Sequence, residues 1–135
     1  MKTQFDQIAT LYAILNDSSL KIAISGGLYK LRRPVNSSQE DVVINSLSIG
    51  EGNLQRGIVN VNIHVPDLVV KLNGEVQNQP NIKRLGELSS LAHDILAEVS
   101  TSTYSIFIQS STIIEERAIN AHFQNIRLIF TFYNT

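Results

Sequence analysis

Between residues 57 and 67 the apolar positions Val59, Val61, Ile63 and Val65 alternate with Asn60, Asn62 and His64 until Pro66 closes the run. A period of two marks a strand with one buried and one wet face. The same reading finds β-branched density at Val42-Val43-Ile44, continuing through Leu47 and Ile49, and a short strand at Leu28-Tyr29-Lys30-Leu31. Gly50-Glu51-Gly52-Asn53 turns the second of these into the opening run, so the two are expected to pair as an antiparallel hairpin.

Helical spacing appears twice. Phe5, Ile8, Ala9, Tyr12 and Leu15 fall on one face behind a capping box of Thr3 and Asp6, and Asn16-Asp17-Ser18-Ser19 supplies a stop and a new cap. Leu20 to Ile24 reads equally as a helical turn or a strand. Leu85, Leu88, Leu91, Ala92, Ile95, Leu96 and Val99 make a broad apolar stripe opposed by Lys83, Glu87, Asp94 and Glu98. That helix needs a flat apolar partner.

Two strands follow it. The first covers residues 104–114, with a bulge expected near Ser110-Ser111, and Glu115 to Asn120 connects it to the last run. There Gln124, Ile126, Leu128, Phe130 and Phe132 share one face, and Phe123, Asn125, Arg127, Ile129, Thr131 and Tyr133 share the other. Both faces are substantially apolar, as in a central strand or one covered by a neighbouring subunit. The order of elements predicts an α+β fold: a two-layer sandwich with a mostly antiparallel sheet of four to five strands and two helices packed on one face. A single domain over residues 1–135 is expected, with residues 68–81 inserted as a loop or a small hairpin turning at Asn73-Gly74. Ser25-Gly26-Gly27 is read as a turn relying on positive φ.

Composition narrows the chemistry. Eleven basic and twelve acidic residues give a net charge of −1, which leaves no surplus to neutralise a phosphate backbone, so sequence-specific nucleic-acid binding is not expected. Without cysteine the chain has no disulfide, thiolate metal site or cysteine nucleophile. The first residues lack the apolar core of a signal peptide, and no segment reaches the roughly 20 apolar residues of a membrane span. A soluble protein of the cytosol is the expectation, with no membrane partner.

Candidate catalytic patterns are sparse. His64, His93 and His122 stand on three separate elements without metal-ligand spacing, and no cofactor motif accompanies them. Glu115 and Glu116 would point to opposite sides of a strand, Asp94 and Glu98 lie on a polar helix face, and Lys30, Arg32 and Arg33 read as a solvated strand end. Gly-x-Ser-x-Gly and phosphate-loop patterns are absent.

Four stretches together carry a resemblance: the first helix ending in Leu15-Asn16-Asp17, Gly26-Gly27-Leu28-Tyr29 with Pro34 behind it, the strand of residues 57–65, and the helix of residues 85–99. With the closing strand of residues 123–133, the layout resembles the tail-completion, or tail-terminator, proteins of long-tailed bacteriophages and prophages. It departs from them in the insert at 68–81. The resemblance implies a non-enzymatic virion protein that forms a ring, commonly a hexamer, joins the tail tube to the head connector, and is present in the host cytoplasm during assembly. A ring subunit needs two different contact patches. Val69, Val70 and Leu72 of the insert, and Phe123, Ile129 and Tyr133 of the last strand, are the candidate interface residues. Two other readings stand beside it: a small-molecule-binding domain or enzyme with a pocket between sheet and helices, using His64 or His122, and a generic dimeric scaffold.

Overall fold

A computed structural model describes residues 1–134. Helix α1 (Gln4–Asn16) leads into α2 (Ser19–Ala23), followed by β1 (Leu28–Lys30), β2 (Asp41–Ser46) and β3 (Leu54–Pro66). A separate pair, β4 (Leu68–Leu72) and β5 (Glu75–Gln79), precedes α3 (Ile82–Leu96), and β6 (Glu98–Ser100), β7 (Tyr104–Glu116) and β8 (Ala121–Tyr133) complete the chain.

The local reasons are visible at each junction. The Thr3 N–H and hydroxyl both donate to Asp6 Oδ2, at 2.7 and 3.1 Å, so the carboxylate half of the expected capping box starts α1. The buried stripe of α1 is Gln7, Ile8, Leu11 and Leu15, while Phe5, expected on it, is exposed. Ser18 separates α2 from α1 by donating to the Leu15 carbonyl and accepting from the Lys21 N–H. Asn81 caps α3 by accepting from the Arg84 N–H at 3.2 Å.

The expected two-layer sandwich of four to five strands and two helices is overturned. The main sheet has six strands in the order β1-β2-β3-β8-β7-β6 and curls into a half-barrel, β4 and β5 form a second sheet, and there are three α-helices among the described residues. The main sheet is mixed: β1 runs parallel to β2, with Leu28 opposite Val42, and all other neighbours are antiparallel. The parallel pair arises because residues 31–40 carry the chain back before β2 begins, a return that polar loop letters do not specify. The β2–β3 hairpin forms with Val43 opposite Asn62, and the bulge in β7 falls between Ile108 and Ser110.

One face of the sheet makes the core. Val59, Val61, Ile63 and Val65 of β3, together with Ile126, Leu128, Phe130 and Phe132 of β8, pack with Ile8, Leu11 and Leu15 of α1 and Leu85, Leu88, Ala92 and Leu96 of α3. Each fully buried aliphatic or phenyl group contributes on the order of 1.5–3 kcal/mol. The opposite face, expected to be wet along β3, is largely covered. Asn125 Nδ2 donates to Asn60 Oδ1 at 3.1 Å and Asn62 Oδ1 at 2.7 Å, and Asn60 Nδ2 donates to Asn45 Oδ1 at 3.0 Å. These amides satisfy one another across β2, β3 and β8, which removes most of the cost of burying them.

Candidate functional site

On the amide-bearing face, at the end of the sheet where β3 runs into β4, four ionisable side chains converge. Asp41 on β2 stands opposite His64 on β3, and residues 31–40 lay Arg33 across the strands. Asp41, with a side chain only 1% exposed, accepts from Arg33 Nη1 at 3.2 Å, from the Ser37 hydroxyl at 2.5 Å and from the Gly27 N–H at 3.0 Å. Arg33 Nη2 also reaches Glu116 Oε1 on β7 at 3.3 Å, and that oxygen lies 2.5 Å from His64 Nδ1. Phe123 covers the imidazole with ring centroids 4.7 Å apart. Burial holds the His64 pKa below the ordinary imidazole value; the Glu116 hydrogen bond opposes this and the Arg33 charge adds to it. Every member is engaged with another, so the cluster clamps residues 31–40 onto the sheet. The solvated strand end expected at Arg33 is instead a buried ion pair.

On the helix-bearing face, a second pairing sits at the same end of the sheet. His122 Nδ1 lies 2.6 Å from Asp67 Oδ1, and both side chains are mostly buried. Asp67 is fixed by its own N–H, which donates to the Asn120 carbonyl at 2.9 Å. His122 forms part of the wall of an apolar groove of about 430 Å³ between α3 and the β7–β8 end, with Pro80, Ile82, Leu85, Gly86, Ser89, Ile113 and Gln124. An acid-backed imidazole is a general-base arrangement. Among the described residues, however, no hydroxyl is hydrogen-bonded to His122, so the arrangement lacks a paired nucleophile. His93 lies apart, bonded to the Ser89 carbonyl. A depression of about 610 Å³ near Lys2, Tyr104 and Asn134 contains no acid–base pair.

The third feature is the β4–β5 hairpin. Asn73 and Gly74 turn it with φ of 52° and 80°, as an Asn-Gly turn requires. Its strands pair with each other and stand off the body. Val69 is 71% exposed, and Leu68, Leu72 and Val76 are also exposed. Nearby, β7 is paired on its outer edge only through Glu98–Phe107, Val99–Ile106 and Ser100–Ser105, so residues 108–116 offer an open edge. Gln109 to Glu115 are exposed along it, with Ile113 at 63%.

The expected interface residues therefore divide. Val69, Val70 and Leu72 lie together on the hairpin. Phe123 is half-buried over His64, Ile129 is buried, and Tyr133 is half-buried with its hydroxyl donating to Ser105 Oγ at 2.7 Å. Tyr133 pairs with Leu54 at the far end of the sheet, twelve residues along β8 from Ala121, or roughly 40 Å at strand rise. The sequence places Ile113 and Ile114 in a strand without marking them as interface residues, and does not mark Ile82, although the charge-free run Ser110-Ser111-Thr112-Ile113-Ile114 is a signal for an unusual edge.

Among the described residues no group of three or more His, Asp or Glu side chains could hold a metal ion, and no helix is long and apolar enough to cross a membrane. No protein-family model and no curated protein matches the chain.

Proposed function

We propose that this chain is a non-enzymatic, self-associating structural subunit, forming a ring of the tail-completion class that caps a tail tube and meets a head connector. The observation that carries the reading is the β4–β5 hairpin, a separate two-stranded element that leaves Leu68, Val69, Leu72 and Val76 exposed. Exposed patches of this kind mark protein–protein contact surfaces. The sequence stretches that carry the resemblance described above support the class; in the fold two helices precede the mixed sheet and a third packs against it. A net charge of −1 suits a subunit beside a DNA passage, which must let nucleic acid slide without holding it.

Size-exclusion chromatography with light scattering tests the reading. Association to a defined multiple of the 15.0 kDa subunit is expected. A monomer at every concentration, also in the presence of tail-tube protein, would overturn it.

The Asp67–His122 pair beside an apolar groove favours one alternative, a site for a small apolar molecule. Ligand-observed NMR with a fragment library decides between them. Binding that is lost in His122→Ala would support the small-molecule site, and no binding would remove it.

A further inference from the structure

We propose that the open edge of β7, residues 109–115, together with the groove beside it, receives the β4–β5 hairpin of a second copy of this chain. One copy's hairpin then extends the next copy's sheet. The inference rests on the self-association proposed above and names the contact that produces it.

The receiving side, beyond the bulge at Gln109, is an edge strand without proline or lysine. Sheet edges in monomers are blunted by proline, lysine, a bulge or a covering element, because unpaired N–H and C=O groups template pairing with another chain. From residue 108 to 114 the sequence is Ile-Gln-Ser-Ser-Thr-Ile-Ile, with no proline, glycine or charge. The bulge sits at the base of this segment, and beyond it Ser110 to Glu116 pair one-to-one with β8, leaving a regular outer edge. Ile113 projects from it toward Ile82 and Leu85 across the groove, so the edge comes with an apolar side wall.

The donor side has the complementary deficit. A lone two-stranded hairpin is marginal in water, and this one carries aliphatic side chains on both faces, Leu68, Val70 and Leu72 beside Glu75, Gln77 and Gln79 on one, and Val69 and Val76 beside Lys71 and Asn78 on the other. Its five-residue strands span roughly 17 Å, a fair match to the free segment of β7. The added strand β4 carries the cation Lys71, and the receiving segment ends in the acid Glu115, which already pairs with Arg117 of its own chain at 3.2 Å.

The hairpin does not pair with its own β7 edge, although Pro80 at its exit lines the groove beside Ile113. It leaves the end of β3, and β8 and β7 lie between β3 and that edge. Its root is held there by Asp67, through the Asn120 carbonyl and His122. Pairing of β7 with β7 of a second copy would leave the hairpin still uncovered. Hairpin to edge is a heterologous contact, in which donor and acceptor patches differ, and such contacts close into rings when the rotation allows.

The chain has no cysteine, so disulfide trapping has no background. Val69→Cys or Val70→Cys protein is mixed with Thr112→Cys or Ile113→Cys protein and oxidised, because cross-strand neighbours bring Cβ atoms within about 5 Å. The expected result is a shift from the 15.0 kDa band to a cross-linked dimer in at least one mixture, absent from each variant alone. A dimer from Thr112→Cys or Ile113→Cys alone, with no further product in the mixtures, would overturn the proposal in favour of β7–β7 pairing. Association by light scattering with no cross-link in any mixture would overturn this contact and leave self-association standing. A monomer throughout would overturn both.

Discussion

Gly57 shows how tightly single positions in β3 are determined. A Cβ there would overlap the Ser48 carbonyl oxygen and lie 2.8 Å from Gln7 Nε2, so the strand passes under α1 with no room for a side chain. Gly57→Ala is expected to destabilise the fold by roughly 1–3 kcal/mol in urea unfolding, the range for overpacking; an unchanged midpoint would contradict the packing described. Gly26 follows the same logic. Sequence reasoning attributed the Ser25-Gly26-Gly27 turn to positive φ, yet neither glycine has it; a Cβ on Gly26 would overlap Asp41 Oδ1. Glycine patterns announce a turn, but only the packed structure tells strained backbone from close approach. His64 gives a pH prediction. Because burial holds its folded pKa below the unfolded value of about 6.5, the unfolded chain takes up a proton first as pH falls. Its contribution is complete above that value and is lost as pH drops toward the folded pKa. The melting temperature should therefore fall between about pH 7 and pH 5, and less steeply in His64→Gln; equal slopes would contradict the buried neutral imidazole.

Among the elements, α3 is held by an arginine that periodicity does not reveal. Arg84 Nε and Nη2 pair with Glu40 at 2.6 and 2.9 Å, Nη2 also donates to the Ala23 carbonyl at the end of α2, and Nη1 reaches Glu87. The Arg84 hydrogen bonds hold the Glu40 pKa below the ordinary carboxylate value, so this contribution is present above that value and is lost as pH falls below it. Arg84→Lys keeps the charge and loses the fork, and should cost roughly 1–2 kcal/mol at neutral pH in chemical denaturation; no loss would show the fork to be idle. Gly86, on the same helix, has open space where an alanine methyl would sit, with no neighbour within 4 Å, so Gly86→Ala should stabilise by about 1 kcal/mol through helix propensity. A lowered or unchanged urea midpoint would contradict it. What was legible at this scale followed from periodicity and turn chemistry: the alternation in β3, the stripe of α3 as far as Leu96, the Asn-Gly turn of the hairpin; Val99, expected on that stripe, stands in β6. What was not legible depended on non-local register. Whether β1 joins parallel, and whether Asp41 meets His64, is decided by the path of residues 31–40, and no local pattern encodes it. The helix-and-sandwich expectation failed for this reason, and because strands as short as β6 carry too few letters to show a period.

Taken whole, the molecule gathers one group of exposed apolar side chains, Leu68, Val69, Leu72, Val76, Ile82, Ile113 and Ile114, around the hairpin and the groove, while others such as Phe5, Ile22 and Val35 stand elsewhere. The groove of Ile82 and Ile113 is apolar, the hairpin and the open edge of β7 mix exposed aliphatic and uncharged polar side chains, and the charged and amide groups at this end of the sheet are paired among themselves. The candidate interface residues read from the sequence split at this scale: Val69 and Leu72 are exposed on the hairpin, whereas Ile129 is buried on the amide-bearing face of the main sheet. A strand with two apolar faces looks the same in sequence whether a loop of its own chain or a second subunit covers it. The proposed ring makes a sharp demand on the hairpin. Val69→Asp with Val76→Asp should leave the subunit folded, because neither side chain packs in the core, and should abolish association; associated double-mutant protein would place the contact elsewhere. The most direct measurement is electron microscopy of the purified full chain in negative stain. The account predicts rings of one rotational symmetry with a central opening, and a field of monomers, or of two-fold dimers without an opening, would contradict it.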